Sequence, residues 1–479
     1  MSKPFYITTT LPYVNADPHI GFATEILQAD VLARFRRLMG REVFFNAGTD
    51  EHGQKIFEAA KKAGEGEQDY VNRYADEVRK LKGALNLSTD AFIRTTDEHH
   101  IEAAQELWNI CSAKGDIYKK KYKGLYCVGC EKYLTEKDLE DGKCPLHPNE
   151  EPQIIEEDNY FFKLSNYQKQ LEDYLSNKDV ITPEYRRLEA LEFVKGGLED
   201  FSISREKERL SWGVPVPGDD TQVMYVWFDA LTNYISTLGW PEDIEGNFKK
   251  FWEEGETLQM AGKDQVRFQS IMFQAMLLSA GIKTTDKFFY HGFINSGGHR
   301  MSKSLGNVIS PFELVKRYGT DATRFLLLKH VHPFEDTDIT WERLDEWYTA
   351  DLVNGLGNLT ARIMKLAQDN LTSPIEQPEP VSFPKEYTDA IENFEFNHAL
   401  DFVWSRIQAL DERITKEEPF KLIKNEDTKE QARTLIQELA LELYFIGRLL
   451  NPFMPKTNEI IKKTILENKK PENLFPRLS

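Results

Sequence analysis

The sequence predicts an α/β protein: a parallel sheet crossed by helices, split by an insertion and followed by an all-helical C-terminal bundle. Three observations predict it. Near the N-terminus, apolar β-rich runs alternate with long stretches of helical periodicity. Between about Gly115 and Asp220 that rhythm breaks into Cys, Gly, Pro and many charges. After about Trp347 the strand signals vanish and helical spacing dominates.

Phe5 to Thr9 reads as a buried strand, and Leu11 to Asn15 as a turn. A helix follows from about His19 to Met39, with Ile20, Ala23, Leu27, Val31 and Phe35 at helical spacing. Val43 to Asn46 is the next strand, ending at Gly48-Thr49-Asp50. Strand, helix, strand is a βαβ unit, which places ligand chemistry at the strand C-termini. Residues 115–220 form the insertion. The pattern then resumes with a strand at Tyr225 to Phe228, a mainly helical stretch from Gln265 to Ala280, and a strand at Phe288 to Phe293. Leu352 to Leu366, Tyr387 to Ile414 and Lys429 to Leu450 carry the C-terminal helices, with Pro-rich Thr372 to Pro384 as a connector. There is no internal repeat.

A chain of 479 residues implies about two to four domains. Hydrophobic content of 41% and charged content of 29% fit a soluble globular protein. No run approaches the roughly 18 apolar residues of a membrane span. The first residues lack a signal-peptide core, so a cytoplasmic location is expected. Four cysteines do not make a disulfide framework in a chain of this size, and Cys111, standing alone, reads as a small buried hydrophobe. A net charge of −18 argues against an indiscriminate nucleic-acid binder, yet leaves room for a local basic face.

Two segments carry the chemistry. Pro18-His19-Ile20-Gly21 opens a helix, whose N-terminus suits a phosphate. Gly21 permits close approach of a base or of backbone, and His19 can donate to a phosphate oxygen; a plain helix-capping His is the bland alternative. Arg300-Met301-Ser302-Lys303-Ser304 lies between Gly297-Gly298 and Gly306-Asn307, read as flexible hinges. Lys303 is a point charge able to follow β- and γ-phosphates; an ordinary surface loop is the alternative. No G-x-x-x-x-G-K-[ST] motif exists, which removes support for an ATPase of that kind. Asp50 and His52 suggest a metal, but a third ligand is missing. Cys127-x-x-Cys130 followed by Cys144-x-x-His147 is a strong structural zinc signal, with a redox C-x-x-C as its alternative.

Taken together, these motifs resemble those of the class I aminoacyl-tRNA synthetases and, within that class, the methionyl-tRNA synthetases, over essentially the whole chain. The resemblance implies a Rossmann-type catalytic domain in two halves, 1–114 and 221–290. It implies a connective insertion with the zinc knuckle at 115–220, a stem-contact region with the mobile Lys loop at 291–346, and an α-helical anticodon-binding domain at 347–479. His19 and Lys303 match the catalytic positions. His19, Gly21, Gly262, Asp264, Ser302, Lys303 and Ser304 match ATP-binding positions, with Gly262 and Asp264 near the ribose. Asp50 matches the carboxylate that holds the amino acid's ammonium, a charge costly to bury alone. Leu11, Tyr13, Trp227, Ala230, Tyr234, Gln265 and Gln269 match the methionine pocket, where Trp227, Ala230 and Tyr234 can wall a thioether. From pattern alone, the segment around Trp227 fits an amphipathic core strand equally well. Asn358 and Arg362, at i and i+4, match anticodon-reading positions.

The chain departs from the family at several places. Phe22 stands where a second His is usual, and Arg300 where a Lys is usual. Gln265 and Gln269 replace an aliphatic residue and a His common in bacterial relatives; Gln269 is placed to hydrogen-bond Tyr234 and orient its hydroxyl. Many relatives carry two zinc knuckles and this chain one. No Trp follows Trp404, although some relatives stack a Trp on the anticodon. The implied activity is ATP-dependent formation of methionyl-adenylate and its transfer to the terminal adenosine of a methionine tRNA. One structural Zn²⁺, Mg²⁺ with ATP, and a monomer are expected, since no dimerising module follows Ser479. Two other readings stay open: a different class I synthetase such as the cysteine enzyme, and a non-enzymatic tRNA-binding relative.

Overall fold

The computed structural model describes residues 3–129, 132–134, 138–145, 147, 151–301, 306–379 and 381–478. The chain divides into two compact units. One, here the sheet unit, contains residues up to Pro18, then Met39–Lys80 and Thr89–His291. The other, the helical unit, contains His19–Leu38, Leu81–Ser88 and everything from Gly292 onward.

The sheet unit is built on six parallel strands in the order 91–94, 43–49, 5–9, 256–262, 287–291, 181–182. Ile7 at its centre pairs with Phe45 on one side and Leu258 on the other. All of Phe5–Thr9 is buried, as expected of a parallel strand covered on both faces. The chain steps outward from Phe5–Thr9 in one direction, then returns on the other side as Glu256–Gly262. The switch point therefore lies between these two strands, and a crevice at their C-terminal ends is the expected place for a ligand.

The insertion is not self-contained. Its Ile181–Thr182 pairs with Phe288 and Phe289 and supplies the sixth strand of the main sheet. The rest includes an antiparallel ladder of Ile117–Cys127 against Gln153–Phe162, and a smaller sheet ending in Asp219–Met224. The expected strand at Tyr225 to Phe228 is instead a short helix, Val226–Leu231. All six of its residues are buried, so the sequence offered no alternation by which to tell strand from helix.

In the helical unit the first helix, Ile20–Leu38, packs on Thr320–His330. Asp30 and Arg324 meet there at 2.8 Å, with no solvent exposure of either side chain. Asp30 also accepts from Arg34 and from the backbone and hydroxyl of Ser88. Arg324 donates to the carbonyls of Leu85, Pro452 and Phe453. Burial alone would raise the Asp30 carboxyl; Arg324, then Arg34 and Ser88, outweigh it and hold it below its ordinary value. The predicted Tyr387–Ile414 helix breaks into Lys385–Glu392 and Phe396–Glu417, with Phe394 at φ 62° in the break. Lys429–Leu450 follows. Among the described residues, no helix is long and apolar enough to cross a membrane.

Candidate active site

Leu11, Tyr13, Asp50, Trp227, Ala230, Tyr234, Gly262, Asp264, Gln265 and Gln269 all belong to the sheet unit. The segment after the first strand is more than a turn. Tyr13 bridges to Asp50; Asp50 N–H donates to Pro12 at 3.0 Å and Val14 N–H donates to Asp50 at 3.3 Å. Thr10 N–H is tied to Met260 at 3.1 Å, on the far side of the switch point. Buried Asp50 is thus fixed by backbone bonds at the strand ends.

Of the residues expected to form the pocket, Tyr13 and Trp227 are in contact. The Tyr13 ring meets Trp227 edge-on at 6.2 Å, and Trp227 stacks on Phe268 at 3.9 Å. Gln269 Nε2 donates to the Tyr234 hydroxyl at 2.6 Å, the hydrogen bond anticipated from the substitution. The hydroxyl accepts there, so its own proton is directed elsewhere. Trp227 Nε1 and Gln269 Oε1 are both buried without hydrogen-bond partners among the described residues. Gln265 instead turns to Asp264, at 3.0 Å.

Two buried histidines meet at Asp229, an association the sequence did not suggest. His52 Nδ1 lies 2.7 Å from Asp229, and among the described residues His52 joins no group of potential metal ligands. His100 Nε2 lies 2.9 Å from the other oxygen of Asp229, and His100 Nδ1 lies 2.9 Å from Ser236 Oγ. The only signal was a lone acidic residue inside the apolar run Tyr225–Leu231. Glu51, between Asp50 and His52, is saturated by a bidentate Arg94 at 2.7 and 2.8 Å and by Thr49 and Thr96.

His19 and Gly21 stand in the helical unit, at the start of Ile20–Leu38. Gly21 N–H donates to His19 Nδ1 at 3.0 Å. An acceptor Nδ1 puts the proton of neutral imidazole on Nε2, so the capping role and the donor role coexist in one tautomer. Desolvation lowers the His19 pKa, which favours that neutral form, even though the residue reaches solvent. The need for glycine differs from the expectation. A Cβ at 21 would stand 2.7 Å from His19 Cε1 and 2.8 Å from Nδ1, so the group that approaches closely is the His19 ring itself. Phe22 is buried as a core residue.

Lys303, Ser302 and Ser304 lie outside the described residues. The base of their loop does not. Gly297 and Gly298, both at positive φ, form a tight hairpin turn rather than a hinge, joining Ile294–Ser296 to His299–Arg300. Arg300 sits over the Phe293 ring at 4.0 Å. Asn307 clasps the base by donating to Ser296 at 3.1 Å and Arg300 at 3.2 Å. Ile20 N–H then donates to Ile309 at 3.1 Å, so the exit of the Lys segment is tied to the His19 helix start.

Cys127, Cys144 and His147 offer ligand atoms within 4.8 Å of one another. His147 Nδ1 lies 3.8 Å from Cys127 Sγ and 3.9 Å from Cys144 Sγ. Bonds of about 2.0–2.3 Å in a tetrahedron place neighbouring ligand atoms roughly 3.5–3.8 Å apart, so the donor set fits zinc. Cys130 lies outside the described residues. In the helical unit Asn358 is exposed, and Arg362 is in an ion pair with Asp411.

The family of tRNA synthetases class I (M) matches residues 5–153 and 137–364. The chain belongs to that family. A methionine--tRNA ligase of Fusobacterium nucleatum is 37% identical over 99% of this chain and 76% of its own length. One from Caldanaerobacter subterraneus is 40% identical over 95% of this chain and 73% of its own. Among solved structures, Mycobacterium tuberculosis methionyl-tRNA synthetase in complex with methionyl-adenylate is similar with a TM-score of 0.88 and 34% identity, covering 99% of this chain and 98% of that one. The apo form of the same organism's synthetase gives a TM-score of 0.82 at 32% identity. These class I relatives are methionine enzymes, and the cysteine alternative gains nothing from them.

Proposed function

We propose that this protein is a methionine--tRNA ligase. It joins methionine to ATP, forming methionyl-adenylate and pyrophosphate, and passes the methionyl group to the 3′ terminal adenosine of a methionine tRNA, for use in initiation and elongation. The observation that carries this reading is end-to-end similarity to methionine enzymes combined with an aromatic pocket whose Tyr234 is oriented by Gln269.

Each residue then has a chemical task. Asp50 holds the substrate ammonium, leaving the methionine carboxylate to attack the α-phosphate in line. Leu11, Tyr13, Trp227 and Ala230 enclose the thioether, and the Tyr234 hydroxyl donates to its sulfur. One methylene is worth only about 1–3 kcal/mol, so the polar contact adds the selectivity that shape lacks. Gly262 and Asp264 take the ribose. His19, neutral with its proton on Nε2, donates to a phosphate oxygen, and Lys303 follows the departing pyrophosphate with Ser302 and Ser304 beside it. Mg²⁺ enters with ATP as part of the substrate. Cys127, Cys130, Cys144 and His147 would hold a structural zinc, which supplies cross-linking where the local core is only Cys127, Leu134 and Cys144, although the rest of the insertion adds Phe162, Leu171 and Val194 to the main core. Asn358 and Arg362 read the anticodon, Arg362 leaving Asp411 to do so. The regions 1–114 with 221–290, 115–220, 291–346 and 347–479 serve as catalytic, connective, stem-contact and anticodon-binding parts. We assign the protein to the cytoplasm, as a monomer.

The test is ATP–pyrophosphate exchange across the twenty amino acids, with and without tRNA. Exchange should require methionine and fall about 10²–10³-fold in Lys303→Ala, the loss seen when one preorganised donor is removed. Exchange driven by another amino acid, or by none, would overturn the assignment.

A further inference from the structure

We propose that Asp229 is the positioning residue of the methionine pocket: its carboxylate ties together the three segments that bear Asp50, Trp227 with Ala230, and Tyr234. The inference rests on the methionine-activating reading above.

The geometry is specific. His52 lies two residues beyond Asp50, in the same turn, and reaches Asp229 at 2.7 Å. Asp229 itself sits in Val226–Leu231, the helix that carries Trp227 and Ala230. His100 reaches the second carboxylate oxygen at 2.9 Å and continues to Ser236 at 2.9 Å, in the short helix that carries Tyr234. His100 comes from Glu98–Ala113, which bears no proposed substrate contact and so serves as the fixed support. Asp229 and His100 are fully buried, Ser236 and His52 nearly so. A carboxylate accepts from both sides, so each ring must present an N–H to it; His100 Nδ1 is then left to accept from the Ser236 hydroxyl. The polarity of the chain is single and consistent. Burial would raise the Asp229 carboxyl, but His52 and His100 outweigh it and keep it ionised. Charged acceptors make the shorter and stronger bonds that hold a site to sub-ångström tolerance. Glu51, pinned separately by Arg94, keeps the intervening residue from yielding instead.

The test uses the full chain in exchange kinetics, varying methionine and ATP separately. Asp229→Asn keeps the volume but turns an N–H₂ toward one ring N–H, forcing that histidine to change tautomer. The expected result is a methionine KM raised about tenfold or more, since small misplacements of substrate groups cost up to 10²-fold, with the ATP KM unchanged. Ser236→Ala, which removes only the outermost bond, should raise the methionine KM by about fivefold or less. Adding His52→Ala to Asp229→Asn should raise it little further, because both cut one link. A fall in the fraction of active enzyme or in Tm with the methionine KM unmoved would overturn the proposal and leave Asp229 a structural residue. If Asp229→Asn does not fold, Ser236→Ala and His100→Gln decide: an unchanged methionine KM in both overturns it. Wild-type enzyme without methionine-dependent exchange would instead overturn the functional reading beneath it.

Discussion

In the helical unit, Asp30 and Arg324 are sealed from solvent and meet at 2.8 Å; in the sheet unit, Asp229 is sealed as completely but meets two imidazoles. The partners make the difference. Arg324 does not titrate in the working range, and its remaining donors are spent on three backbone carbonyls. Arg34 is the partly exposed member and it too ends on a backbone carbonyl, that of Asn86, so the cluster holds four chain segments together. Histidine has two distinct ring nitrogens, and His100 uses its second to reach Ser236 beside Tyr234. The first cluster ends on backbone carbonyls, whereas the second passes its contact on to the short helix that bears Tyr234.

Arg324→Met should break this contrast most severely. It leaves the buried carboxylate with Arg34 as its remaining cation and three buried carbonyls without their donor, a loss of about 3–5 kcal/mol, seen as a large drop in the denaturant midpoint. Adding Asp30→Asn should recover part of that loss, and no recovery would show that packing around Arg324 matters more than its charge.

Gly21→Ala comes next, because it separates stability from chemistry. Alanine gains up to about 1 kcal/mol of helix propensity over glycine. Its Cβ would nevertheless push against the His19 ring, so exchange should fall about tenfold or more while Tm holds or rises. Full activity in this variant would mean the ring does not need its Nδ1 bond to the helix.

A smaller effect is expected of Gln269→Ala, which removes the bond to Tyr234. The methionine KM should rise by roughly tenfold or less, in line with one hydrogen bond of about 1 kcal/mol plus its positioning effect. An unchanged KM would remove Gln269 from substrate recognition.

Metal chelation should disturb catalysis least. Removing zinc should make the segment around Cys127 and Cys144 more susceptible to protease, with the methionine KM little changed. Immediate and complete loss of exchange would show that the knuckle bears on the pocket directly.

The opening βαβ and the last long helix were legible in the sequence because their periodicities are long and clean; Lys429–Leu450 matches its expected bounds. The meeting of Tyr13 with Trp227 was legible through the resemblance. Val226–Leu231 was misread because a fully buried segment has no period to show. Asp229, His52 and His100 were missed because their association depends on residues from positions 52, 100 and 229 meeting, which no local pattern encodes. For Gly21 a base or backbone was the expected close neighbour and the His19 ring stands there instead, since a ring folding back over its own helix start leaves no trace in spacing.

The first helix lies between two strands of the main sheet in sequence, yet its contacts place it with the C-terminal half of the chain. A fragment ending at His291 would keep Asp30 and discard Arg324, Pro452 and Phe453. Each unit is thus assembled from discontinuous stretches of chain, and no single cut separates one from the other. Expression of residues 1–291 alone should therefore give insoluble material, because the first helix would be cut off from the segments it packs against.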